Sequence, residues 1–298
     1  MIQAPVIDKP LIKYFIIAFV ILFPTLAFPL SSDLSVFMHG GNIIANGGGL
    51  FSDFFDIKPP LIYYLFAGIN SIFGDNVVAF RIFDLLYQLT FLIITSYLLT
   101  KLEIQTKVIK AFLILFPLSY TILNYRDIFQ TESLAFIPLI LYFYYMIKNE
   151  NTYKQHIIMG LTLGIAIAFK YTLGIVFVGY LIYFFKESKI RNYTKPIVQL
   201  AIAFFIVFLS FLPVILSGNL SGFIDTNVYL AEYAKYPPIG IELAKQMIEI
   251  LTYNFGTLIS VSYLFLFLIA SIFYKNGKYQ IIKILATILL FTFHISSD

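Results

Sequence analysis

The chain has 298 residues, of which 60% are hydrophobic and only 12% charged, with no Cys, no Trp and a formal net charge of +4. Soluble domains carry about 25% charged residues, and with a mean hydropathy of +0.87 one or two soluble domains would leave too much apolar surface in water. The chain therefore reads as a polytopic membrane protein, all-α, with membrane lipid as its first partner and no nucleic-acid partner.

Without Cys there are no disulfides, no thiolate nucleophile and no thiolate metal site. His39, His156 and His294 are scattered without ligand spacing, so no intrinsic metal centre and no cofactor are expected, and nothing indicates a divalent cation. The first apolar run is about as long as a span, roughly 20 residues. It lacks a small-residue cleavage site, so it reads as a span rather than a cleaved signal.

In chain order, spans are expected at residues 11–30, 77–100, 108–123, 131–147, 196–216, 250–274 and 281–295. Residues 157–185 are too long for one span and short for two, and Lys170-Tyr171-Thr172 interrupts them. Basic loops lie on both sides, so this segment is expected to be a tight helical hairpin turning at Lys170, giving about nine crossings or part-crossings.

Lys9, Lys13, Lys101, Lys107, Lys110, Lys148, Lys154, Lys186, Lys189, Arg191, Lys195, Lys275, Lys278 and Lys283 all fall on one side of this arrangement, 14 of the 20 Lys and Arg. The positive-inside rule makes that side cytoplasmic, with the amino terminus. The carboxylates then gather on the far side.

Two far-side loops are long. In the first, residues 31–76, Leu34, Phe37, Met38, Gly41, Ile44 and Ala45 recur at helical spacing. Gly47-Gly48-Gly49 interrupts, and after Pro59-Pro60 a second apolar helix is expected over residues 61–73, since Pro suits a helix start. Both read as interfacial helices lying along the bilayer. The second loop, residues 217–249, carries an amphipathic stretch with Leu243, Met247, Ile250 and Leu251 on one face. Its Tyr229, Tyr233 and Tyr236 offer rings that could stack on a sugar.

Five groups of charged residues stand out against this apolar background. Asp33 follows the first span, either as a helix amino-terminal cap or as a general base at the membrane surface. Lys58 sits between Asp56 and a rigid double proline. It is either a phosphate contact or the partner of Asp53 or Asp56 in a surface salt bridge of little worth. Arg126 and Asp127 follow the third span. Glu132 opens the next helix, where the dipole favours a carboxylate in any case. Lys170 is a cation inside an apolar run, which is functional by default unless it snorkels to a helix end.

The run Asn46-Gly47-Gly48-Gly49-Leu50-Phe51-Ser52-Asp53-Phe54-Phe55-Asp56-Ile57-Lys58-Pro59-Pro60-Leu61-Ile62-Tyr63-Tyr64, preceded by Asp33, resembles the first luminal loop of C-type membrane glycosyltransferases. It is most similar to the bacterial group related to protein O-mannosyltransferases and the aminoarabinose transferases of lipid A. Phe73-Gly74 and Arg81 fit the same pattern, and the resemblance covers residues 11–185.

The resemblance implies a bacterial plasma-membrane enzyme. It would move one sugar from a polyprenyl-phosphate donor to a hydroxyl of a lipid, glycan or protein acceptor, with inversion, on the extracytoplasmic face. It assigns Asp33 to the catalytic acid position, Lys58 to the phosphate-contacting lysine, and Asp127 or Glu132 to the second acidic motif. Beside these, Asp56, Arg126 and Lys170 are expected as substrate contacts from their own placement on the same side. Leu34 stands where many relatives carry a second acid. Because relatives commonly continue past the equivalent of Asp298, the chain is expected to be a single domain that is short or truncated. A transporter or flippase for a lipid-linked or anionic substrate, and an inactive membrane partner protein, are the competing readings.

Overall fold

The computed structural model describes residues 9–122, 128–148, 150–187 and 193–233. Among these, regular structure is helical apart from one isolated bridge between Leu50 and Phe54. The ten α-helices are α1 Lys9–Leu22, α2 Ser32–Ala45, α3 Pro60–Phe73, α4 Val77–Lys101, α5 Thr106–Ile122, α6 Thr131–Lys148, α7 Tyr153–Phe169, α8 Ile175–Glu187, α9 Thr194–Leu216 and α10 Leu220–Tyr233. The expected spans at 250–274 and 281–295, and the amphipathic stretch around Leu243, lie outside the described residues.

Most helix boundaries follow local chemistry. The side chains of Ser31, Asn76 and Thr152 accept hydrogen bonds from Leu34, Val78 and Gln155 N–H groups and so cap α2, α4 and α7. Pro60 opens α3, and Gly74 at φ 69° closes it. The first span is shorter as an α-helix than its apolar run. Pro24 cannot donate to the helical ladder, and residues Phe23–Ala27 tighten into a 3₁₀ turn. Beyond it α2 turns by 75°, nearly at right angles to the first span, as a helix lying across the end of the bundle must.

Among the described residues, α4, with 25 residues, and α9, with 23, are the helices long and apolar enough to cross a membrane unaided. The others are shorter. A 17-residue helix such as α7 rises only about 25 Å at 1.5 Å per residue, against roughly 30 Å of hydrocarbon. The expected spans at 108–123 and 131–147 correspond to α5 and α6, 17 and 18 residues long, while the expected span at 11–30 is an α-helix only to Leu22 and is continued by the 3₁₀ turn.

Side-chain contacts fix the directions. Gly160 of α7 meets Gln199 and Ile202 of α9, and Gly164 meets Ala203 and Ile206, so these two helices run parallel at close range. The Gly160-x-x-x-Gly164 spacing lets backbones approach as small residues do in membranes. Lys13 and Lys110 both lie over the Tyr14 ring, and Thr121 donates to the Ile21 carbonyl at 3.0 Å, so α1 and α5 are parallel as well. His156 near the start of α7 packs on Phe184 near the end of α8, at 6.5 Å between rings. The α7–α8 segment is therefore the expected antiparallel hairpin, with Lys170 at its turn. This alternation brings the loops after α1, before α6 and between α7 and α8 to one end of the bundle.

That end is filled by aromatic rings. Phe37 of α2 meets Tyr63 and Phe66 of α3, both at 5.9 Å. Phe66 in turn stacks on Phe80 at 4.7 Å and meets Phe129 at 5.6 Å. All five are fully buried. Edge-to-face and offset contacts of this kind add to the large apolar area each ring removes from solvent, so the α2–α3 layer is anchored to the bundle.

Candidate functional site

The site is built where the α2 start, the loop after Gly49, the α6 start and the α7–α8 turn converge. Asp33 lies in the first turn of α2, but Ser31 already caps that helix. The capping explanation for Asp33 is thereby removed. Its carboxylate faces Lys58, Nζ to Oδ2 3.7 Å, with the two side chains 48% and 29% exposed. Lys58 thus pairs with the distant Asp33 rather than with its neighbours Asp53 or Asp56.

Those two acids are otherwise engaged. Asp53 accepts from the Gly49 N–H at 2.7 Å and the Ser52 hydroxyl at 3.0 Å, and these bonds hold its carboxyl below the usual range. Asp56 accepts from its neighbour's amide, Ile57 N, at 2.6 Å and from the Tyr63 hydroxyl. Burial, then the Asp56 carboxylate, push the Tyr63 phenol well above its ordinary range, so it remains a donor. Tyr63 sits in the K-P-P-L-I-Y-Y run, but its role is one that spacing alone did not indicate.

Glu132 is in the first turn of α6, and its Oε1 is bonded by the Lys170 ammonium across 38 positions of sequence. Thr131 Oγ1 donates to the other carboxylate oxygen at 2.9 Å. With Lys170 10% and Glu132 20% exposed, this is a largely buried pair, and Glu132 is more than a helix-end acid. The two ion pairs are tied together by Gln130, whose side-chain amide donates to Ser31 Oγ at 3.2 Å. Asp33, Asp56, Lys58, Glu132 and Lys170 therefore belong to one end of the bundle, while Arg126 and Asp127 lie outside the described residues.

Sequence reading placed Arg81 in a family pattern but missed the buried polar group it forms with Asp84 and Gln88. Lys170 is not the only ionisable side chain within an apolar run, because Arg81 and Asp84 of α4 are fully buried. The Arg81 guanidinium donates from Nε to the Phe28 carbonyl at 3.2 Å and from Nη2 to the Pro29 carbonyl. It thereby fixes the exit of the first span two residues before Ser31. Asp84 accepts from Gln88 at 3.0 Å and from the Tyr120 hydroxyl at 2.8 Å. The available signal was the i, i+3, i+7 spacing of Arg81, Asp84 and Gln88 inside an otherwise apolar helix. Tyr229, offered as a sugar-stacking ring, is exposed on α10. Among the described residues no group of three or more His, Asp or Glu could hold a metal ion.

No curated protein and no solved structure matches this sequence significantly. The profile of one family, described as dolichyl-phosphate-mannose-protein mannosyltransferase, matches residues 57–216, which is more than half of the chain and takes in Lys58, Tyr63, Glu132 and Lys170. The chain accordingly belongs to that family, and is a membrane glycosyltransferase of the class that depends on polyprenyl-phosphate sugars.

Proposed function

We propose that this protein transfers a single sugar, with inversion, from a polyprenyl-phosphate donor to an acceptor hydroxyl on the extracytoplasmic face of a bacterial plasma membrane. The observation that carries the reading is the meeting of two lysine–carboxylate pairs, Lys58–Asp33 and Lys170–Glu132, at one end of an apolar helical bundle. The chemistry needs both signs of charge there. As the anomeric carbon–oxygen bond to the donor phosphate breaks, the leaving polyprenyl phosphate gains negative charge, which a nearby ammonium stabilises. The acceptor oxygen attacks from the opposite side and loses its proton to a carboxylate.

Lys58 is the phosphate contact and Asp33 the base. Their pair is loose and half exposed, so it is worth little by itself, and a donor phosphate competes for the ammonium. Lys58 moving onto phosphate frees Asp33 to accept the acceptor proton. Glu132 and Lys170 supply a second, fixed pair beside it, and Asp56 holds Tyr63 against the base of the turn that carries Lys58. Asp127 and Arg126 remain candidates of the second motif by resemblance. The fold is a single membrane domain, no cofactor or metal is called for, and the acceptor is a lipid, glycan or protein.

A transporter would place Lys170 and its partners near mid-bilayer, where broken helices bind substrate. Lys170 instead pairs with Glu132 at the same end of the bundle as the Lys58–Asp33 pair, which favours the transferase. The test is sugar transfer from synthetic polyprenyl-phosphate sugars by the purified protein. Asp33→Asn should lower turnover by about 10²–10⁴-fold, the usual range for a positioned base, and Lys58→Ala should weaken the donor complex. Undiminished turnover in Asp33→Asn would remove the base assignment.

A further inference from the structure

We propose that Asp84 and Tyr120, which do not belong to the charged site, are positioning residues that hold the Glu132 segment and the Asp33 helix in register for catalysis. The inference rests on the transferase reading, and the experiment below separates the two. The Tyr120 hydroxyl donates to Asp84 Oδ1 at 2.8 Å and accepts from Gln88 Nε2 at 3.2 Å and from the Phe129 backbone N–H at 3.0 Å. Gln88 closes the triangle by donating to Asp84 Oδ1 at 3.0 Å. Asp84 thereby fixes the direction of the phenol's proton, which leaves its lone pairs facing Phe129.

Phe129 is where that bond has an effect. Its backbone sits at φ 61°, a conformation an L side chain adopts only when surroundings impose it. Its ring is buried against Phe66 and Phe83, at 5.6 and 5.8 Å. The next residue, Gln130, reaches Ser31 Oγ, and the same Ser31 oxygen caps the helix carrying Asp33. Two positions further on, Glu132 pairs with Lys170. One buried phenol thus sets the strained residue from which both acid-bearing segments take their positions. A carboxyl group and an amide in an apolar helix are costly. Here that cost falls on a network whose outward end is the site.

Hydrogen exchange at the Phe129 amide, which donates to Tyr120, and at the capped Leu34 amide reads the register of the two segments in the otherwise unaltered chain. Farnesyl phosphate serves as the phosphate probe, and a polyprenyl-phosphate sugar as the donor. Tyr120→Phe should speed exchange at Leu34 as well as at Phe129 and keep the wild-type number of farnesyl phosphate sites. It should also raise their dissociation constant about tenfold, the equivalent of one lost hydrogen bond to a site group. Turnover should fall on the order of 10²-fold, as displacement of about 1 Å produces. Asp84→Leu should act alike, while Asp84→Asn, which keeps an acceptor oxygen, should be milder. Gln88→Met loosens the phenol without deleting it and gives the same ordering where Tyr120→Phe does not fold.

Unchanged exchange at Leu34 and unchanged turnover in Tyr120→Phe would overturn the proposal. So would a fall in site number with an unchanged dissociation constant, the mark of a purely structural role. If wild type turns over no polyprenyl-phosphate sugar, the transferase reading fails. Faster exchange at Leu34 in Tyr120→Phe would still uphold the mechanical link.

Discussion

Removing the charge of Lys170 should separate what the Lys170–Glu132 pair does for the fold from what it does for the reaction. In Lys170→Met, Glu132 is left with one-fifth of its side chain exposed and no ammonium beside it. Breaking a fully buried pair costs about 3–5 kcal/mol because the remaining charge is stranded. Three features of this site reduce that figure: the residual exposure, the Thr131 hydroxyl on Oε2, and the α6 amino terminus, worth roughly 0.3–1 kcal/mol to an anion. A net loss of about 2 kcal/mol follows. For a chain of this size that lowers the melting midpoint by roughly 4–8 °C, at 2–4 °C per kcal/mol. Glu132→Gln in the same chain removes the stranded charge and should return the stability to within about 1 kcal/mol of wild type, or the midpoint to within roughly 2–4 °C. Transfer from a polyprenyl-phosphate sugar should stay depressed in both variants, because a neutral Met–Gln pair does not join the α7–α8 turn to the start of α6 as the ion pair does. The assays are thermal unfolding in detergent and single-turnover transfer. Restored turnover in the double variant would show that the ion pair does not hold the site, and a wild-type midpoint in Lys170→Met would show that it does not hold the fold either.

Gly164→Leu should separate α7 from α9. A β-carbon there lies 2.7 Å from Ile206 Cβ and 2.9 Å from the Ala203 carbonyl, and overpacking of this kind costs about 1–3 kcal/mol, to be read as a lower midpoint. Tyr63→Phe removes the phenol that donates to Asp56. It should raise KM for the donor about tenfold and also lower the melting midpoint, since an intramolecular bond to a charged group, worth about 1.5–3 kcal/mol, is lost. An unchanged KM would detach Asp56 from donor binding. The loop held by Asp53 should loosen in acid. Its carboxyl titrates below the usual range when folded, so its contribution is present above the unfolded value, about 3.9, and is lost as pH falls through the folded one. Limited proteolysis between pH 2 and 6 should show that transition in wild type and not in Asp53→Asn.

The helical class, the boundaries of α4, α6 and α9 and the hairpin turn at Lys170 could be read from the sequence, because apolar runs and basic loops are set by local chemistry. So could the neighbourhood of Asp33 and Lys58. What could not be read was which charge meets which. Lys58 has Asp53 and Asp56 nearby in sequence, yet its partner is Asp33, because Asp53 is satisfied by Gly49 and Ser52, and Asp56 by Ile57 and Tyr63. Such competition depends on loop geometry rather than on spacing. Helix α10 was hidden for a similar reason. Its first turn is placed by Asn219, which donates to the Leu50 carbonyl at 3.2 Å across 169 positions of sequence. The break at Phe23–Ala27 was legible in Pro24 but was absorbed into an apolar run.

The two ion pairs differ in burial, and this difference suits a division of labour. A base must accept a proton from an acceptor that arrives from outside, so it must be reachable, and Asp33 is half exposed. Exposure also makes its bond to Lys58 weak and screened by salt, hence exchangeable for a phosphate. A pair that exchanged so readily could not also hold the site's shape. That task falls to Lys170 and Glu132, whose attraction is stronger where water is scarce and which join the α7–α8 turn to the start of α6. A site made of two exposed pairs would drift, and one made of two buried pairs would have no carboxylate free to take the proton. The observed combination keeps one pair fixed and one available, as a reaction needs when it must bind a charged lipid and release it again in every turnover.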